Sequence, residues 1–334
     1  MKAARVAADG SVSVVEVPVP RIGPGEALMR TRAAGICGSD LLGWYVRRKA
    51  GSILGHEVAG EIVEVGAGVD NFAPGDRVVP HHHAPCGACD ECRSGRQVHC
   101  REWRTSRLDP GGMAEFVRIP AGNLSRDTRK TPAALTDEDA TFVEPLATVV
   151  KAFRRGRYAP ARSFLAVGLG TTGQLAIRLA RSFGAARIAG ADRVASRLDL
   201  AKRSGATETI DVSRGSPSES GRFDFVFVGP GKADVIEGAL RAVAPGGTLL
   251  AFTMAAPEER LSLSPHDLYF DEVEIVPSYS AGPEDMSEAL ELLASRRVAV
   301  GDLVTHRFPV ERAREAFARA ALPEGSLKVV LTFG

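Results

Sequence analysis

The segment SFLAVGLGTTGQLAIRLARSFGA (163–185) limits the fold more than any other stretch of this 334-residue chain. FLAV is a continuous apolar run that reads as a buried strand. It feeds directly into Gly168-Leu169-Gly170-Thr171-Thr172-Gly173 and then into an amphipathic helix. Strand, GxGxxG turn and helix in that order open a βαβ unit that binds a dinucleotide. Gly168 allows the tight turn, Gly170 lets the backbone approach a pyrophosphate, and Gly173 lets the helix pack close to the strand. The helix start at Thr171 and Thr172 then faces the phosphates. A second strand, ARIAGAD, ends at Asp192, about 20 positions on, where a carboxylate reads the adenosine ribose hydroxyls. Arg193 and Arg197 follow, and an arginine can flatten on adenine or pair with a 2′-phosphate. The carboxylate would repel that phosphate, so NAD is the preferred cofactor and NADP the weaker one.

The rhythm of buried strand and amphipathic helix repeats downstream. RLDLAKRSGA reads as a helix with a glycine stop, FDFVFVG as a strand, ADVIEGALRAVAPGG as a helix stopped by Pro-Gly-Gly, and TLLAFTM as a strand. Such alternation predicts a parallel, doubly wound sheet. VEIVPSYS (273–280) is its last strand, placed at an edge by Pro277. An exposed edge is usually covered or paired, which predicts two-fold pairing between subunits and at least a dimer.

Ahead of this lies a segment of different character. Residues 1–34 and 57–79 alternate apolar and polar residues between glycines and prolines, the pattern of short antiparallel strands. Between them, GICGSDLLGWYVRRKAGSILGHEVAG (35–60) gathers Cys37, Ser39, Asp40, His56 and Glu57. Thiolate, imidazole and carboxylate together suit zinc at tetrahedral geometry. Next, PCGACDECRSGRQVHC sets Cys86, Cys89, Cys92 and Cys100 at C-x2-C-x2-C-x7-C spacing. Four thiolates can close the shell of one structural zinc, and this lobe has few large apolar residues to fold it otherwise. His81, His82 and His83 precede the lobe. Four cysteines already fill one tetrahedron, and neighbours in a strand point to opposite faces, so the three are read as structural or wall residues. His99 is read as a surface or supporting residue. In TPAALTDEDATFVEPLATVVKAFRR (131–155), Thr136 caps an acidic helix start, and Glu144 sits inside the apolar stretch that follows. A carboxylate there needs a partner.

GICGSD, GHE, the four-cysteine lobe and the GxGxxG turn, in this order, resemble the zinc-containing medium-chain dehydrogenase/reductase (alcohol dehydrogenase) family. The nearest branch includes sorbitol, xylitol and threonine dehydrogenases. The resemblance spans nearly the whole chain. It implies an α/β chain of two domains: a β-rich GroES-like catalytic domain with a zinc lobe (1–148 and 285–334, lobe 84–102) and a Rossmann domain (149–284). Cofactor and zinc would face each other across a cleft. Two zincs per chain are expected. Cys37, His56, Glu57 and Glu144 would hold the catalytic one, and Cys86, Cys89, Cys92 and Cys100 the structural one. Ser39 would pass a proton outward, and Asp40 would fix the His56 tautomer. The implied reaction moves a hydride between a secondary alcohol (a polyol, sugar or hydroxy-amino compound) and NAD(P), giving the ketone.

Two departures from the family stand out. Leu42 replaces a histidine found in many relatives shortly after GSD, so a relay through that imidazole is missing. The 19 residues from Cys37 to His56 are fewer than in polyol dehydrogenases and bring Trp44 and Tyr45 toward the cleft or into domain packing. Two rival readings share parts of the pattern. A metal-independent NADPH reductase of the same fold would lack the GICGSD and GHE ligands. A non-catalytic, zinc-stapled NAD(P)-binding protein would leave the second metal cluster without purpose.

Composition narrows the partners. A formal net charge of +1 gives no electrostatic basis for binding nucleic acid or an anionic membrane. No apolar run reaches membrane-spanning length, and the first residues lack the apolar core of a signal peptide. An odd number of cysteines, all five before residue 101, fits metal ligation rather than a disulfide framework. These features predict a cytoplasmic protein, and the resemblance implies a homo-oligomeric enzyme, a dimer or tetramer, acting on a small-molecule alcohol or ketone.

Overall fold

The apolar run of residues 164–167 lies within an all-parallel, six-stranded sheet in a computed structural model that describes residues 1–334. The chain divides into two units: Met1–Ala147 with Ala281–Arg296 and Val300–Gly334, and Thr148–Ser280 with Arg297–Ala299.

In the second unit the strands lie side by side as Glu208–Asp211, Arg187–Asp192, Ser163–Val167, Phe223–Val228, Val243–Ala251 and Glu274–Pro277. Counted along the chain, that is third, second, first, fourth, fifth and sixth, the doubly wound dinucleotide-binding order. The order reverses between Ser163–Val167 and Phe223–Val228, and ligands of such sheets bind beyond the strand ends at that point. Phe164, Leu165, Ala166, Phe225, Val226 and Phe227 are fully buried, as strands covered on both faces require. Helix Thr171–Ser182 starts immediately after Gly170. Gly168 has φ +86°, and a Cβ on Gly173 would strike the Gly168 carbonyl oxygen, so the turn tolerates no side chain at either place. Pro277 lies on the outermost strand, as expected.

The Pro-Gly-Gly stop is corrected. The helix Ala233–Leu240 ends earlier, and Pro245-Gly246-Gly247 falls inside the strand Val243–Ala251. Val243 already pairs with Phe223, and the register slips before Phe225 pairs with Thr248. The sheet captures the segment, and Gly246 at φ +69° absorbs the irregularity.

The first unit is built on a seven-stranded sheet whose central strand is Ala27–Gly35. That strand pairs antiparallel with Glu57–Val65, placing Gly35 opposite Glu57, and with Lys328–Thr332, placing Gly35 opposite Val330. The C-terminal strand therefore lies beside the start of the GICGSD segment. One core packs Val310, Phe317, Val329 and Leu331 against Ala34 and Ile36. Another packs Met29, Val58, Ile62 and Val117. The single helix expected after Thr136 is two. Thr136 caps Asp137–Ala140 through its hydroxyl, which accepts from Asp139 N at 3.0 Å, and a new helix runs Val143–Arg155. The break puts Glu144 and Pro145 in a first turn, where a proline costs no hydrogen bond. No helix is long and apolar enough to cross a membrane.

Candidate metal and cofactor sites

The thiols of Cys86, Cys89, Cys92 and Cys100 converge within 4.8 Å of one another. Cys89 and Cys92 sulfurs are 3.6 Å apart and those of Cys86 and Cys92 3.9 Å. A tetrahedron with zinc–sulfur bonds of about 2.3 Å has edges of about 3.8 Å, so these separations fit four thiolates around one zinc. They are far too long for disulfides. Backbone amides of Ala88 and Cys89 point at Cys86 Sγ and hold its pKa down to about 6. Burial pushes Cys92 up to about 12, a thiol that only a cation would keep ionised at neutral pH. Trp103 and Val98 pack beside the sulfurs and supply the lobe's small apolar floor.

The second cluster forms where the central sheet ends. Cys37 follows the strand Ala27–Gly35, and Glu57 opens the strand Glu57–Val65, with His56 just ahead of it. The ligand atoms of Cys37, His56 and Glu57 lie within 4.8 Å of one another. Ser39 Oγ donates to Cys37 Sγ at 3.3 Å. Asp40 is buried with neither oxygen hydrogen-bonded; it stands 3.9 Å from His56 Nδ1 and 3.7 Å from Lys49 Nζ. That first distance is beyond a hydrogen bond, so Asp40 acts on His56 as a nearby charge in this geometry. Lys49 in turn sits 4.3 Å over the Tyr45 ring, which leaves Tyr45 half-buried as a support for that cation. Burial alone would depress His56, yet the Cys37 sulfur and the Asp40 and Glu144 carboxylates hold its pKa well above the ordinary value. A cage that favours positive charge this strongly is suited to a metal cation. Glu144, also buried, has its pKa raised by burial, with the imidazole of His56 pulling the other way.

One partner was not foreseen. Lys328, 1% exposed, donates its ammonium to Glu57 Oε2, and Glu57 is likewise 1% exposed. The same ammonium reaches the Ile36 carbonyl at 3.4 Å. The pair passes over Gly35, where any Cβ would overlap the Glu57 carboxylate. Glu57 keeps its other oxygen to offer a metal.

The histidine triplet differs from expectation in its backbone. His81, His82 and His83 lie past the end of the strand Arg77–Pro80, so strand alternation does not separate them. His81 and His82 both bring ligand atoms within 4.8 Å of a Glu144 oxygen, and the His82 ring is 5.1 Å from that of His56. His81 is fully buried and its Nδ1 is 2.7 Å from Asp127 Oδ2. His83 stacks on Trp103 with ring centres 3.9 Å apart, and burial holds its pKa at about 2. His99 pairs with Arg104 at 2.9 Å on the surface.

At the dinucleotide turn, Asp192 Oδ2 accepts from Leu169 N at 2.7 Å and Oδ1 from Val194 N at 2.9 Å. The carboxylate thus braces the glycine turn from the neighbouring strand, and each oxygen retains a lone pair for a ribose hydroxyl. Arg197 lies 3.8 Å from it, and Arg193 is exposed.

Comparisons with known proteins agree with this geometry. Residues 23–129 match the alcohol dehydrogenase GroES-like domain family, and residues 171–295 match the zinc-binding dehydrogenase family. The chain is 31% identical to D-altritol 5-dehydrogenase of Agrobacterium fabrum, over 98% of both chains. It is 31% identical to mouse sorbitol dehydrogenase, over 96% of this chain and 93% of that one. A crystal structure of a zinc-binding dehydrogenase from Sinorhizobium meliloti, bound to NADP, superposes with a TM-score of 0.89 at 28% identity, covering 99% of this chain and 98% of that one. The four-cysteine lobe, the Cys37–His56–Glu57 cluster and the braced glycine turn thus sit in a chain that belongs to the zinc-type medium-chain alcohol dehydrogenase family, an NAD(P)-dependent alcohol oxidoreductase.

Proposed function

We propose that this chain oxidises a secondary alcohol of the polyol, sugar or hydroxy-amino class, and reduces the matching ketone, with NAD as the preferred cofactor. The convergence of Cys37, His56 and Glu57 on one point carries this reading, because it sets three different ligand types where a substrate oxygen could join them. Cys37, His56 and Glu57 would hold the catalytic zinc, with Glu144, whose charge acts on His56, as the fourth ligand. Cys86, Cys89, Cys92 and Cys100 hold a second, structural zinc, making two per chain. Zinc at the first site supplies a Lewis acid that polarises an alcohol oxygen, and the nicotinamide supplies the hydride acceptor.

The chain's own residues set the conditions. Lys328 holds Glu57 in place, so that the carboxylate need not search for its position. Asp40 adds negative charge behind His56, and Ser39, bonded to Cys37, is placed to pass a hydroxyl proton outward. In the second unit, the amides at the start of Thr171–Ser182 bind the pyrophosphate, with Gly168, Gly170, Thr171, Thr172 and Gly173 forming its cradle. Asp192 takes the adenosine ribose, and Arg193 and Arg197 flank the adenine.

The polyol class is supported by the relatives that act on altritol and sorbitol. The five unpaired thiols suit a reducing, cytoplasmic compartment. The outermost strand Glu274–Pro277 suits pairing with a second copy. The direct test is a panel of polyols, sugar alcohols and hydroxy-amino acids with NAD and NADP, followed by nicotinamide absorbance. Turnover of at least one secondary polyol with NAD is expected. No turnover of any secondary alcohol with either cofactor would refute the reading.

A further inference from the structure

Next to the Cys37 cluster stands a second set of metal-binding atoms. His81, His82 and Glu144 each bring one ligand atom within 4.8 Å of the other two. His81 is fully buried, and its Nδ1 is held by Asp127 at 2.7 Å. That contact assigns the ring proton to Nδ1 and leaves Nε2 as a lone pair, and Nε2 is buried with no hydrogen-bond partner. A carboxylate that orients a histidine so that its other nitrogen is free is the arrangement that supports metal-binding imidazoles. The His81 backbone is equally fixed, its N–H donating to Asp127 O at 2.9 Å and its carbonyl accepting from Asn123 at 3.0 Å. His82 Nδ1 is a second buried nitrogen without a partner. Two unpaired buried nitrogens cost free energy, and a protein normally tolerates that where something binds.

We propose that His81, His82 and Glu144 form a further divalent-cation site beside the catalytic zinc, sharing Glu144 with it. Two imidazoles and a carboxylate select a borderline first-row ion such as zinc or cobalt over magnesium or calcium. The site offers three protein ligands, and His82 is partly exposed, so the ion binds more weakly than the other two and exchanges with solvent. Glu144 faces both groups. An ion at His81 and His82 draws this carboxylate away from His56, so turnover falls as free zinc rises. The inference rests on the placing of the first zinc at Cys37 and His56 and adds a regulating ion beside it.

The test is equilibrium dialysis of the holoprotein against increasing free zinc, with bound metal counted by plasma mass spectrometry. Cobalt absorption in the visible reports ligand type in parallel. Wild type should take up a third equivalent above the two that survive dialysis, and His82→Gln, folded by circular dichroism, should lose that equivalent alone. Wild type saturating at two equivalents, or His82→Gln still binding a third, overturns the proposal. Cys37→Ser separates the two readings: it should lose one tightly held zinc while keeping the His82-dependent ion. Retention of both tight zincs in Cys37→Ser would sink the catalytic assignment and leave the His82-dependent ion standing.

Discussion

Lys328 and Glu57 form an ion pair that water does not reach, so each depends on the other. Replacing Lys328 with Met leaves a buried carboxylate uncompensated, which costs about 3–5 kcal/mol of stability in such pairs. Lys328→Met should therefore shift the denaturant midpoint sharply, and adding Glu57→Gln should recover part of the loss; equal stability of Lys328→Met and wild type would contradict the pairing. Asp192 has a comparable double duty. Asp192→Ser removes the charge that opposes a 2′-phosphate and leaves Arg193 and Arg197, so the ratio of kcat/KM for NAD to that for NADP should fall. The same change strands the Leu169 and Val194 amides, at a cost of about 1–3 kcal/mol each at most. A wild type with higher kcat/KM for NADP than for NAD would overturn the ribose assignment. At this scale Cys37, His56, Glu57 and the four lobe cysteines are legible because their spacing is local. Lys328 is not, since it meets Glu57 across 271 residues of chain and only the sheet register brings them together.

Elements were legible where apolar runs and glycine stops agree. The strand Phe223–Val228 and the helix Ala195–Ser204, ended by Gly205 in the left-handed conformation, both follow from local pattern. Pro-Gly-Gly misled because pairing of Val243 with Phe223 outweighs a local stop signal. For the histidine triplet alternation says nothing, because its strand ends at Pro80 and the three rings are placed by the loop that follows. The outermost strand Glu274–Pro277 exposes one edge, with Tyr269, Phe270 and Tyr279 exposed nearby in sequence. Two such edges related by a two-fold axis can pair. Light scattering at micromolar concentration should give at least a dimer, and Ile275→Pro should weaken it, because Ser278 N bonds Ala251 O and alternation therefore turns the Ile275 amide to the open edge. A monomeric wild type would contradict the edge pairing.

In the molecule as a whole, two candidate metal clusters lie in one unit and the dinucleotide turn in the other. The parallel sheet with its edge strand, the lobe and the turn all follow from sequence patterns tied to backbone geometry. The substrate does not, because no local pattern marks which side chains meet it, and Trp44 and Tyr45 fall on the short helix Gly43–Val46. In the proposed reading the lobe and the Cys37 cluster differ in kind: one supplies folding energy, the other chemistry. The most direct test is therefore a paired measurement of zinc per chain, thermal unfolding and alcohol-dependent NAD reduction on Cys37→Ser and Cys89→Ser. Cys37→Ser should stay folded, keep one zinc and lose turnover, while Cys89→Ser should lose the lobe zinc and unfold at lower temperature. Full turnover with two zincs retained in Cys37→Ser would contradict the proposed reading.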